Sequence, residues 1–91
     1  MTGIARKSLD QAGGIQLAGQ QNWFYVDAQP VVLKGDPVEP HGSGIHSAPV
    51  MAEGSDYWSI DGIPVSRAGH LATCGHPTTG SDWFLINGGT E

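Results

Sequence analysis

Five side chains in this sequence have the chemistry of metal ligands: His41, His46, His70, Cys74 and His76. His41 and His46 share a loop rich in Gly, Pro and Ser, and His70 and Cys74 share a second, Gly69-His70-Leu71-Ala72-Thr73-Cys74-Gly75. Two short-spaced pairs separated by a structured hairpin suit a closed tetrahedral zinc site. Each loop bends back to offer two ligands, and the hairpin brings the loops together. Zinc accepts this mixture, binding imidazole nitrogen at about 2.0–2.1 Å and thiolate sulfur at about 2.3 Å with little geometric penalty. The expected ligands are therefore His41, His46, His70 and Cys74. His76, in Cys74-Gly75-His76, is a fifth candidate that spacing leaves open in place of His41 or His46. It ranks lower because a Cys-x-His pair needs a tight local chelate, and it is read as a surface residue or a neighbour of the ligands.

Four side chains in the coordination sphere leave no open position for water or substrate, which makes the metal structural and the protein no enzyme. Other nucleophile arrangements are missing from the sequence: there is no Gly-x-Ser-x-Gly, no His-Glu-x-x-His and no phosphate-binding Gly-x-x-x-x-Gly-Lys loop. Asp36, Glu39, Glu53, Asp56 and Asp61 read as turn formers and solvated loop charges. Two alternatives stand beside this reading: a small zinc-dependent hydrolase with an open metal position near His76, and a zinc-stabilised adaptor.

The elements that must position these ligands are short. Fourteen glycines and six prolines in 91 residues interrupt the chain too often for a long helix and favour brief strands joined by tight turns, so the expected fold is all-β. Residues 1–91 make one domain, and a chain of this length hides only about 60 % of the surface its unfolded form exposes. A single cysteine excludes an internal disulfide, which leaves a metal as the remaining staple. The net charge of −5 has the wrong sign for gripping nucleic acid. No apolar run approaches the roughly 20 residues that cross a bilayer, and the first ten residues lack the apolar core of a signal peptide. Synthesis in the cytoplasm, with export by another route, is the expectation.

Three segments repeat one pattern: Asn22-Trp23-Phe24-Tyr25-Val26-Asp27, Asp56-Tyr57-Trp58-Ser59-Ile60-Asp61 and Asp82-Trp83-Phe84-Leu85-Ile86-Asn87. Each reads as a strand, opened by a short polar residue and ended by Asp or Asn before a small residue (Ala28, Gly62, Gly88) in a turn. A second block follows the first two, Pro30-Val31-Val32-Leu33-Lys34-Gly35-Asp36 and Pro64-Val65-Ser66-Arg67-Ala68-Gly69-His70, so strand, turn and second strand form a hairpin. The third copy stops short. The N-terminal Gly3-Ile4-Ala5-Arg6-Lys7-Ser8-Leu9 overlays the second block and supplies the missing half. Three pseudo-equivalent hairpin units around an axis, closed by the meeting of the chain ends, are predicted.

These features resemble the PAAR-repeat family of spike-tip proteins. Pro64-Val65-Ser66-Arg67 and Gly3-Ile4-Ala5-Arg6 are degenerate versions of its Pro-Ala-Ala-Arg motif. Lys34-Gly35-Asp36-Pro37 resembles its Gly-Asp turns, residues 68–75 resemble its metal segment, and residues 53–62 look like its repeat strand. The resemblance implies a small conical fold with zinc near the apex, held by three histidines and a cysteine, which by position are His41, His46, His70 and Cys74. It further implies a structural role, capping and sharpening a trimeric β-helical spike of the valine-glycine-repeat or phage central-spike type. The setting would be a type VI secretion system or a contractile phage tail, with possible effector cargo, delivery out of the cell and transient contact with a target membrane. The first residues of each repeat strand and the backbone near Gly14–Leu17 are candidates for the docking base.

Overall fold

The computed structural model describes residues 2–86. Its eight strands are two residues each: β1 Thr2–Gly3, β2 Gln11–Ala12, β3 Gly14–Ile15, β4 Tyr25–Val26, β5 Gln29–Pro30, β6 Ser59–Ile60, β7 Ile63–Pro64 and β8 Leu85–Ile86. A single turn of 3-10 helix, Gly44–His46, is the helical element among the described residues. The fold is all-β, as the glycine and proline punctuation requires.

Hairpin geometry follows from the turn residues. Asp27 and Ala28 join β4 to β5 with φ of 56° and 66°, and Asp61 and Gly62 join β6 to β7 with φ of 54° and 81°. Positive φ at both central positions marks the two-residue turn whose twist matches that of antiparallel strands. The third unit closes across the chain: β8 pairs antiparallel with β1, Thr2 opposite Ile86 and Gly3 opposite Leu85. The N-terminal segment thus supplies the missing half-hairpin. Asn87 and Gly88, expected to end this strand, lie outside the described residues.

The three units meet in a cyclic arrangement. Isolated bridges run Arg6 to Val31, Leu33 to Val65 and Arg67 to Ile4, each unit handing on to the next. Inside them the Val32 N–H donates to the Ala5 carbonyl (2.9 Å), Ala5 to Ser66 (3.1 Å) and Ser66 back to Val32 (2.9 Å). A closed triangle of backbone hydrogen bonds therefore encircles the axis and satisfies groups that would otherwise be orphaned in the interior.

Neighbouring residues on this ring face two separate cores. Ile4, Val31, Leu33 and Val65 pack with Val26, Ile60 and Ile86, with Phe24, Ile63 and Phe84 against them. Ala5 and Val32 pack instead with Ala12, Ala18, Val38, Met51, Ala72 and Cys74. The first core ends in aromatic rings, and the second contains the thiol. The molecule measures 32 × 26 × 25 Å, one long dimension and two nearly equal ones.

The repeat segments pair over fewer residues than their composition predicts, because each opens with a capped turn. Gln21 Oε1 accepts from the Trp23 and Phe24 N–H groups at 2.9 and 2.8 Å. Ser55 Oγ does the same for Tyr57 and Trp58 at 3.0 and 3.2 Å, and Ser81 Oγ for Trp83 and Phe84 at 3.1 and 3.0 Å. A side-chain oxygen holding two successive N–H groups bends the backbone out of the ladder, so pairing begins only at residues 25, 59 and 85.

Candidate metal centre

The second block of each unit ends in another threefold-related turn. Asp10 Oδ2 accepts from the Arg6 N–H at 2.8 Å, and Asp36 Oδ2 from the Leu33 N–H at 2.7 Å. In the third unit His70 Nδ1 takes the same role toward the Arg67 N–H at 3.2 Å. His70 is 4 % exposed, so its ring is committed to a buried turn. The expectation that His70 joins His41, His46 and Cys74 is corrected on this point: its Nδ1 serves as the cap that aspartate supplies in the other two units. Burial first, and the positive charge of Arg67 second, lower its proton affinity below the usual histidine value, against opposing contributions from Glu53 and Asp56. That direction agrees with a neutral ring accepting a backbone hydrogen bond.

The residue brought into the group instead is His76. A tight turn does this: the Ala72 N–H donates to the His76 carbonyl (3.0 Å) and the Gly75 N–H to the Ala72 carbonyl (2.9 Å). Cys74 and His76 consequently face the same side. Met51 bridges Ala72, and the Thr73 N–H donates to the Val50 carbonyl at 2.8 Å, which draws this turn beside the first loop. There the His41 N–H donates to the His46 carbonyl at 3.0 Å and folds both histidines over one spot.

His41, His46, Cys74 and His76 place one ligand atom each within 4.8 Å of all the others. His41 Nε2 lies 3.1 Å from His76 Nδ1 and 3.1 Å from His46 Nδ1. Cys74 Sγ lies 3.7 Å from His41 Nε2 and 3.6 Å from His76 Nδ1. A tetrahedral ion with the zinc bond lengths above requires edges of about 3.3 Å between nitrogens and about 3.6 Å between nitrogen and sulfur. The donor set fits such an ion. It fits poorly as a hydrogen-bond network, because one nitrogen faces three other donor atoms.

Orientation of the rings supports the same conclusion. His41 Nδ1 is 3.0 Å from the Glu39 carbonyl oxygen, which can only accept, so Nδ1 carries the proton and Nε2 turns its lone pair to the cluster. Cys74 is buried, while the three histidines are half-buried. Sequence reasoning ranked His76 below His70, yet the repeat itself held the signal, since Gly69-His70 overlays Gly35-Asp36.

A family model described as the PAAR motif matches residues 8–80. The chain belongs to the PAAR motif family. The match takes in all four clustered residues and the β4–β5 and β6–β7 hairpins, and it stops short of β1 and β8, whose closure of the third unit is seen in the structure alone. At the level of the PAAR motif family the role is that of a structural component associated with spike tips of type VI secretion systems and phage tails. No curated protein matches the chain. No helix among the described residues is long and apolar enough to cross a membrane.

The second feature of this PAAR-family chain is an aromatic face. Trp23, Tyr57 and Trp83, equivalent in the three units, are 62, 72 and 61 % exposed, an unusual condition for large rings. Inside them Phe84 meets Phe24 edge-on with centroids 5.8 Å apart and Trp58 at 6.0 Å, which roofs the first core. The outer rings tie neighbouring units: Trp23 Nε1 donates to Asp61 at 3.3 Å and Trp83 Nε1 to Asp27 at 3.1 Å. The starts of the repeat strands thus share one surface, whereas the tip of the β2–β3 hairpin, Gly13 and Gly14, lies beside His41 and His76.

Proposed function

We propose that this chain is the tip of a trimeric β-helical spike of the valine-glycine-repeat or phage central-spike type, with zinc held by His41, His46, Cys74 and His76. The observation that carries the reading is the internal threefold order: one chain presents three exposed aromatic rings in equivalent positions around the hydrogen-bonded triangle. A monomer meeting a homotrimer faces a mismatch in symmetry, and three pseudo-repeats resolve it by offering each spike chain a similar patch. Aromatic rings with low conformational entropy and large apolar area are the residues that anchor interfaces.

In this reading the zinc-bearing end points away from the spike and leads through a target envelope, touching its membrane only in transit. The protein is made in the cytoplasm, assembles on the spike, carries effector cargo where the system has any, and leaves the cell with it. When bound, zinc supplies cross-linking of loops 41–46 and 74–76 and no chemistry at an open position, since four side chains already surround it. That geometry disfavours the hydrolase reading.

The test is affinity for such spike trimers of the combined variant Trp23→Ala/Trp83→Ala. Loss of two anchors at about 2 kcal/mol or more each weakens binding by several hundred-fold, while exposed positions leave stability within about 1 kcal/mol. Unchanged affinity in a folded variant would contradict the docking face.

A further inference from the structure

One close steric constraint at the metal centre comes from a residue without a side chain. Gly13 forms the tip of the β2–β3 hairpin, between Ala12 and Gly14, with φ of 81°. A Cβ placed on it would lie 2.0 Å from His76 Nδ1, 2.7 Å from His41 Nε2 and 2.8 Å from His76 Cε1. The two nearest atoms are the ligand atoms themselves. Gly14 anchors the hairpin in this position: a Cβ there would lie 2.1 Å from the Glu39 carbonyl oxygen, the atom that orients His41, and 2.9 Å from His41 Nδ1.

We infer that Gly13 is a positioning residue of the metal centre, whose bare Cα seats against the edge between His41 and His76 and closes that side to any fifth ligand. The inference rests on His41, His46, Cys74 and His76 being the ligands. It adds that the coordination number is set from outside the ligand set, by the backbone of a hairpin that donates nothing to the metal. A side chain at residue 13 has to displace the His76 ring, the more movable of the two because His41 is held by Glu39. Displacement leaves His41, His46 and Cys74 with a vacant fourth position, and a saturated centre becomes one that takes an exogenous ligand.

Cobalt(II) replaces zinc in tetrahedral sites and reports its coordination in visible absorption, so the cobalt form of the full chain is titrated with azide. The wild type shows the intense bands of four-coordinate cobalt and does not respond to azide. Gly13→Ala responds with a shifted spectrum and holds cobalt at least ~10-fold more weakly, the size of loss seen when ligand-supporting groups are removed. His76→Ala gives the same azide response. Gly62→Ala carries the same φ of 81° with nothing within 4 Å of its new methyl, and it behaves as the wild type, separating backbone strain from the steric effect. Gly13→Asn repeats the experiment with a residue that tolerates positive φ, should alanine unfold the chain.

An azide-insensitive Gly13→Ala or Gly13→Asn protein with unchanged spectrum and affinity overturns the inference, as does a wild type that takes up azide. A wild type that binds neither cobalt nor zinc refutes the ligand assignment instead, and the two failures are thereby distinguished.

Discussion

The thiol of Cys74 and the ring of His76 stand two residues apart yet lie in one cluster, because the Ala72–His76 turn leaves both on one side. Cys74→Ala is expected to lose zinc by elemental analysis, His76→Ala to hold it more weakly through the three remaining side chains, and both to melt earlier, since metal bound only by the native state adds directly to folding free energy. His70→Asn keeps its zinc, because an amide oxygen can accept from the Arg67 N–H as the aspartates do in the other units. The same variant isolates a pH effect. A native proton affinity lowered below the unfolded value of 6.5 means that the unfolded chain binds more protons in the window between the two. Stability contributed at this site is whole above pH 6.5 and falls as pH drops through it toward the native value. Chemical denaturation from pH 8 to pH 5 should show wild type losing ground to His70→Asn on acidification, with the ligands' own titration common to both. A difference that does not change with pH would remove His70 from that role. Three of the four clustered residues were legible from the sequence: His41, His46 and Cys74 are in the group, and His70 misled because ligand-like spacing says nothing of whether a ring nitrogen is already engaged.

Each hairpin turn is specified by residues that accept positive φ, and the one misfit is Ala28, at 66°, where the second unit has Gly62. Ala28→Gly removes a clash costing about 1–2 kcal/mol and restores unfolded-chain entropy worth about 0.4–1 kcal/mol, for a net gain of several tenths to 1 kcal/mol. Calorimetry should register a higher melting temperature, and a lower one would mean that the alanine methyl has packing of value. At the junction of the units Leu33 is fully buried in the core beneath the aromatic face, and Leu33→Ala should cost about 2–5 kcal/mol in denaturant titration. The three hairpins were readable in the sequence because their pattern recurs with turn residues at fixed places, and so was the pairing of the ends. What could not be read was the brevity of the ladders. The caps at Gln21, Ser55 and Ser81 belong to the turns and look in sequence like the polar flank of a strand. Nor does sequence reveal the closed triangle through Ala5, Val32 and Ser66, since three non-local hydrogen bonds leave no periodicity of their own.

Across the whole molecule the two cores divide the labour. One is roofed by aromatic rings, the other contains Cys74, and the backbone triangle lies between them. In the proposed role, a structure this small, loaded along its axis, is fastened at one end by the metal and at the other by the spike. Chelation of zinc should lower the melting temperature of the free protein, and lower it further in the complex, because a docking face supported by the metal-tied loops also loses partner binding when zinc is removed. Differential scanning fluorimetry with and without a spike trimer tests this, and an equal loss in both would argue that the two ends are not coupled through the fold. The most direct trial of the threefold design is the stoichiometry of the complex, read by native mass spectrometry of the zinc-loaded chain with a trimeric β-helical spike. The account predicts one copy of this chain on each trimer, with one zinc. Three copies per trimer, or a mixture of one, two and three, would show that each spike chain recruits its own partner and that the internal repeats do not serve to match a trimer.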